Sequence, residues 1–329
     1  MPNTRIYWLH TLSPTHAGIG RGVGYIDLPI DRDGVTGWPI LRGSGFKGVW
    51  ADHHATKLIP KPDEEEVDGK KRSKDRRKMD TPEGRLLKTA FGIAGDDKNS
   101  NAGALIPTDA RIVCLPVRSF RGTFAWVTSN LCLSLLHRTL KTLNPAGLPK
   151  EIPAPKEPDE KARTPGEAFT VGETLIESGG VYLEDLDFTA NSKDTSTKEW
   201  AEFIAKSVFA IDPAWQDQFK KRFVVLPDSA FDFLCETGTE VHTRVRIDDD
   251  TKTVVGSALW TEESLPAETI LMGLIQCDRV YGRNGDDITP PGLLDRFAKD
   301  TLTLQIGGKA TVGRGQVQCV FTPVNGSGQ

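Results

Sequence analysis

Residues 15–34 read THAGIGRGVGYIDLPIDRDG, which gathers His16, Asp27, Asp31, Asp33, Arg21, Arg32 and five glycines within twenty positions. Such a segment is not core, because glycines lose the most entropy on ordering and lone carboxylates resist burial. It reads as a surface loop that brings backbone N–H groups, cations and acids up to a charged partner. Working outward, residues 37–50, GWPILRGSGFKGVW, continue the theme. Arg42 precedes Ser44, which is placed to cap a helix whose first turns carry Lys47. A helix N-terminus with a lysine beside it is a phosphate site in outline.

The full chain has 329 residues, enough for a large core, and its organisation is read as one elaborated domain. A formal net charge of −4 argues against coating duplex DNA by bulk electrostatics, but a local basic stripe can still bind nucleic acid. No apolar run is long enough to span a bilayer, and MPNTRIYWLH lacks signal-peptide character, so a cytoplasmic protein without a membrane partner is expected. Cys114, Cys132, Cys235, Cys277 and Cys319 are far apart and odd in number, which fits buried reduced thiols and not a disulfide framework or zinc site.

Along the chain, residues 5–12 alternate as a strand, with Ile6, Trp8 and His10 facing one way and Tyr7, Leu9 and Thr11 the other. Residues 45–58 have helical spacing, and residues 60–84 are almost wholly polar, an acidic block followed by a basic one. The latter is expected as a solvated, partly disordered insertion or a mobile nucleic-acid contact. A proline-interrupted strand at an edge or bulge is expected over 104–117, and a helix over 124–143 capped by Ser129 or Asn130. Five prolines in 149–166 mark a linker or long loop, and Trp200, Phe203, Ile204 and Val208 mark another amphipathic helix. Residues 241–260 read as a β-hairpin with His242, Arg244 and Arg246 on one face and Val241, Val245 and Ile247 on the other. The acids Glu262 and Glu263 follow at once. Near the end, Gly307, Gly308, Lys309, Gly313, Arg314 and Gly315 lie between two strands, where glycines interleaved with cations permit close approach to phosphates.

Two glycine-and-cation loops at opposite ends, with a basic hairpin between, resemble the RAMP superfamily of CRISPR proteins, and most closely the repeated backbone (slicer) subunit of the type III-B, or Cmr, effector complex. The matching stretches are 13–33, 37–50, 104–130, 243–269 and 304–317, so the likeness covers nearly the whole chain. The resemblance implies an α+β fold: a modified ferredoxin-like, RRM-related palm with helical insertions and a β-hairpin thumb. It implies copies stacked as a helical filament on crRNA, in company with other Cmr subunits, and cleavage of complementary single-stranded target RNA at regular intervals. In the Tyr25-Ile-Asp27-Leu-Pro29 context the family's cleaving aspartate corresponds to Asp27; the residues alone leave Asp27, Asp31 and Asp33 open. Glu262, or its neighbour Glu263, matches the acid before the Leu-Pro pair and is expected to complete the site from an adjacent subunit. Ser264 stands where related members can carry an aromatic residue.

RNA brings its own nucleophile, the 2′-OH, so a site need only align it, accept its proton and stabilise developing charge. Asp27 and His16 are candidates for that work, with His16 suited to acid or base duty by its ordinary pKa. The family also cleaves with divalent metal, Mg2+ or Mn2+; a lone carboxylate forms no preformed cage, which leaves Asp27 as the candidate ligand. Arg21, Arg42, Ser44, Lys47, Arg244, Arg246, Gly307, Gly308, Lys309 and Arg314 are the expected RNA contacts. The competing readings are a scaffold that binds crRNA without cutting, and a metal-dependent hydrolase of a small phosphorylated substrate.

Overall fold

The computed structural model describes residues 3–20, 22, 24–67, 70–93, 100–280 and 288–323. Its centre is the Thr4–Thr11 strand, every residue of which is buried. The strand runs antiparallel between Ile270–Gln276 and Gln316–Pro323. The alternation in the sequence is realised in two cores. Tyr7 and Leu9 pack with Phe46, Trp50, Phe91 and Phe297, from helices Gly43–Leu58, Pro82–Phe91 and Pro290–Phe297. Ile6 and Trp8 pack with Leu133, Trp200, Ile204 and Phe219, from helices on the opposite face. A strand covered on both sides is apolar on both at its centre, Ile6–Leu9, while buried Arg5 and His10 near its ends meet Asp295 and Glu268.

Beyond Ile270–Gln276 the sheet continues through Ala110–Arg118, Phe124–Ser129, Phe223–Leu226 and Glu167–Thr170 to Leu186–Asn191. Phe124–Ser129 lies parallel to Phe223–Leu226, and Glu167–Thr170 parallel to Leu186–Asn191. Mixed pairing, with seven α-helices among the described residues, makes the fold an α+β palm.

Three expectations need adjusting. Helix 124–143 begins only at Asn130, because the aromatic and β-branched run Phe124–Ser129 pairs as an inner strand and Ser129 caps the helix by accepting from the Cys132 N–H. Strand Ala110–Arg118 is internal, so of the two expected placements the bulge holds and the edge does not: its register against Ile270–Gln276 slips between Ile112 and Cys114, and Pro116 lies past that pairing. Within residues 60–84, Glu64–Val67 and Lys70–Ser73 form a polar hairpin, and Met79 is buried in the core. Residues 149–166 form a loop pinned at several points: the Asn130 amide donates to the Pro153 carbonyl at 2.7 Å and the Trp200 indole to that of Glu151 at 2.8 Å.

The hairpin Glu240–Ile247 with Val254–Ser264 is a sheet of its own, paired from Glu240 opposite Ser264 to Val245 opposite Leu259, with a register slip before Ile247 meets Val254. It stands off the palm as the thumb. Among the described residues no helix is long and apolar enough to cross a membrane.

Candidate nucleic-acid interface and cleavage site

The base of the thumb organises the glycine-rich loop. Leu265 pairs with Thr15, Glu262 with Leu28, and Gly18 with Ile30, while Gly308 of the C-terminal loop pairs with His16. Buried Ile30 and Leu265 supply the apolar anchor for this knot. The two segments that share a glycine-and-cation character therefore meet at residues 261–265.

The three aspartates of the first loop separate by their partners. Asp31 is held by the Arg42 guanidinium, whose Nε and Nη2 donate to its two oxygens at 2.6 and 3.0 Å. Asp33 closes a turn, accepting from the Val35 and Thr36 N–H groups at 3.0 and 3.1 Å, and these bonds lower its pKa. Asp27 is exposed; its Oδ2 accepts from the Thr261 N–H at 2.8 Å and the Thr261 hydroxyl at 3.1 Å, and Oδ1 has no protein partner among the described residues. Of these three, Asp27 alone presents a fixed carboxylate with an open oxygen among the described residues.

Glu262 and Glu263 separate in the same way, because neighbours on a strand face opposite sides. Glu263 is 2% exposed and fully used inside, accepting from the Ile30 N–H, the Arg32 guanidinium and the Thr239 hydroxyl at 3.0, 2.5 and 2.9 Å. Glu262 faces the basic side of the thumb, where Oε1 lies 2.7 Å from Lys309 Nζ and Oε2 3.4 Å from Arg244 Nε. Burial raises the Glu262 pKa, but the bonds from Lys309 and the Trp260 indole outweigh it and leave the carboxyl below its usual range. Thr261, which holds Asp27, and Glu262 thus leave opposite faces of one strand.

His16 is 8% exposed, and its Nδ1–H donates to the Glu263 carbonyl at 2.7 Å. A Cβ on Gly18 would sit 2.5 Å from His16 Nε2, so this glycine is there for close approach. The imidazole is a latch between the first loop and the thumb base, held through Nδ1. Gly307, at φ +82, packs on the His16 carbonyl, where any Cβ would collide.

The expected cations divide into paired and free. Arg42 pairs with Asp31 and Asp109, Arg244 and Lys309 with Glu262, and Arg314 with Glu240 at 3.1 Å. Arg246 is exposed and Lys47 half-buried, and neither has a carboxylate within ion-pair distance among the described residues. Burial lowers the Lys47 pKa. Arg21 lies outside the described residues. Ser44 is not the helix cap: Arg42 occupies that position without a side-chain bond, and Asp109 accepts from the Gly43 N–H at 2.8 Å. Ser44 and Gly45 are exposed in the first turn, next to Lys47.

The two faces of the thumb differ in what they touch. Its apolar residues are exposed, Val245 by 45% and Ile247 by 56%, and the polar face ties it to the palm through Glu262–Lys309 and Glu240–Arg314. The sequence reading missed Thr261, Asp109 and the Arg32–Glu263 pair, since each acts through a partner distant in the chain. Among the described residues no three His, Cys, Asp or Glu side chains converge as a metal cluster.

Residues 8–318 match the RAMP superfamily. A protein from Pyrococcus furiosus named "CRISPR system Cmr endoribonuclease Cmr4" is 30% identical over 320 residues, covering 97% of this chain and 96% of that protein. The crystal structure of oligomeric Cmr4 from the same organism is similar with a TM-score of 0.67 at 25% identity, covering 98% of each chain. A chain in the cryo-EM structure of the type III-B Cmr-beta complex bound to cognate target RNA shares the fold, with a TM-score of 0.64 at 19% identity over 97% of this chain and 96% of that one.

Proposed function

The chain belongs to the RAMP superfamily, and we propose that it is the repeated backbone subunit of a type III-B CRISPR effector complex, coating crRNA as a filament and cleaving paired target RNA at regular intervals. The observation that carries this reading is the seating of an exposed Asp27, on the first glycine loop, on Thr261 at the thumb base, where the second cation-bearing glycine loop also meets His16. The 30% identity to a Cmr4 endoribonuclease along 97% of the chain supports it.

Guide phosphates lie over the first turn of helix Gly43–Leu58, where free N–H groups, Ser44 and the unpaired Lys47 meet, and along the Gly307–Gly315 loop. The thumb enters the guide–target duplex and displaces a nucleotide, which exposes one target phosphate in each repeat. Asp27 then aligns the neighbouring 2′-OH and accepts its proton as the hydroxyl attacks the phosphorus in line; the 5′-oxygen leaves and takes a proton from water. His16 keeps the loop and thumb base together and is a positioning residue. Glu262 faces away from Asp27 in its own chain and contributes from the adjacent copy.

A divalent cation, Mg2+ or Mn2+, fits the open Oδ1 of Asp27 as one hard-oxygen ligand, with RNA phosphates and water as the others. When bound it supplies charge stabilisation at the reacting phosphate. The partners are crRNA, single-stranded target RNA, further copies of this chain and other Cmr subunits. Five free, buried cysteines suit a reducing cytoplasm.

The test is to purify the complex from its host, sequence the RNA it carries and offer a complementary strand. Short repeat-derived guides and regularly spaced products are expected. Bound guides without cutting would leave the scaffold reading; no bound RNA in an assembled complex would overturn both.

A further inference from the structure

We propose that Trp260 is a nucleobase-stacking residue on the polar face of the thumb, uncovered when an RNA phosphate displaces Glu262 from Lys309. This rests on the RNA-binding reading above and adds to it a contact with a base.

Trp260 stands opposite Arg244 in the hairpin register. Trp8, Trp50, Trp126 and Trp200 are fully enclosed in the core, whereas Trp260 is half-exposed among cations. Its indole N–H donates to Glu262 Oε1 at 2.6 Å, and the same oxygen lies 2.7 Å from Lys309 Nζ. The ammonium also sits 5.7 Å from the centre of the indole ring. One carboxylate oxygen thus draws both the indole and the ammonium that covers it. Lys309 reaches this place from a left-handed backbone, φ +67, in a loop where Gly307, Gly313 and Gly315 are also left-handed. A non-glycine residue is uncommon in that conformation, so the loop holds Lys309 there against its local preference.

A phosphate competes with a carboxylate for the same ammonium, and RNA offers a continuous row of phosphates. Once Lys309 turns to a phosphate, the indole face is free beside a basic strand. Aromatic rings interleaved with cations are how single-stranded nucleic acids are held, and any base can stack because every base has a π-face.

The experiment measures binding of the purified full chain to a fluorescent single-stranded RNA, and to a ribose-phosphate oligomer of the same length without bases. Trp260→Ala is expected to weaken RNA binding by about 5-fold to 150-fold and to leave binding of the baseless oligomer unchanged. Trp260→Phe is expected to keep most of the affinity, and to lose part of the tryptophan quenching that RNA causes in the wild type. Equal weakening toward both probes, or none toward RNA, would overturn the stacking role. A thermal melt of Trp260→Ala separates misfolding from lost contact, and Trp260→Phe carries the test if the alanine variant unfolds. A wild-type chain that binds neither probe would refute the RNA-binding reading itself.

Discussion

The Asp27 carboxylate is seated on Thr261, taking the backbone N–H at 2.8 Å and the hydroxyl at 3.1 Å on one oxygen. A return bond closes the pair: the Asp27 N–H donates to the Thr261 hydroxyl oxygen at 3.0 Å, while the Tyr25 carbonyl, 3.1 Å from that oxygen, shares its single proton with Asp27. A carboxylate on an exposed loop would otherwise sample several rotamers. Here the thumb strand fixes it, so whatever moves the thumb moves this carboxylate.

Asp27→Asn keeps size and much of the bonding but removes the charge, and it should leave assembly and target pairing intact. Cleavage should fall by about 100-fold to 10,000-fold, the span of general acid–base catalysis. Thr261→Val keeps the backbone N–H and loses the hydroxyl, so a smaller loss of about 10-fold is expected from one charge-assisted hydrogen bond. Single-turnover rates on a paired target decide both. A target with 2′-deoxyribose at the cut position should resist; if it is still cut, water is the nucleophile and the internal-hydroxyl route is wrong.

Lys47 and Arg42 flank the same helix start but differ in what they are free to do. Lys47→Ala should weaken RNA binding alike for unrelated guide sequences and reduce the salt slope by about 0.7 for each lost phosphate contact on a single strand. Arg42 already spans Asp31 and Asp109 with half of its side chain exposed, and those bonds raise its pKa further. Arg42→Ala should therefore change the salt slope less than Lys47→Ala, while costing about 1 kcal/mol or less in stability. The reverse order in a salt titration would remove Lys47 from the phosphate path.

What could be read in the sequence was the periodic and the local. The Tyr7/Leu9 and Ile6/Trp8 faces follow from alternation, and the loop 15–34 declares itself by composition. The choice of Asp27 over Asp31 and Asp33 was not legible without the family motif, because it depends on Arg42 and on a turn that consumes the other two. Glu262 and Glu263 are identical as letters, and only strand direction puts one toward Lys309 and the other toward Arg32. The start of helix Asn130–Lys141 was obscured because a strand and a helix meet there without a glycine or proline to mark the change.

His54 gives a pH-dependence to stability that is separate from catalysis. It is buried against Trp50, Phe91 and Phe297, its Nε2 has no partner, and burial, with help from His53, lowers its pKa to about 4. The unfolded chain takes up a proton near the ordinary value of 6.5, which the folded chain refuses. Stability from this group is therefore full above about 6.5 and falls as the pH drops toward 4. Urea unfolding of His54→Leu should show a smaller loss than wild type between about pH 7 and about pH 5. An identical loss in both would place the acid sensitivity elsewhere.

The exposed apolar face of the thumb supplies the most demanding test of the proposed mechanism. Val245 and its register partner Leu259 are 45% and 61% exposed, so they contribute little to the fold of a single chain. Replacing both with serine should change stability by no more than about 0.5 kcal/mol each, as for other surface sites. A thumb that wedges between bases, however, needs an apolar surface to take the place of the lost stack. The double variant Val245→Ser/Leu259→Ser should therefore assemble on crRNA with normal affinity yet cut target RNA at least about 10-fold more slowly, because unstacking costs a few kcal/mol that two serine side chains cannot replace. Removing residues 248–253, the turn that closes the hairpin, should go further and abolish cutting or blur its spacing. Products of unchanged yield and unchanged spacing from both variants would take the hairpin out of the mechanism and leave Asp27 to act on a phosphate exposed in some other way.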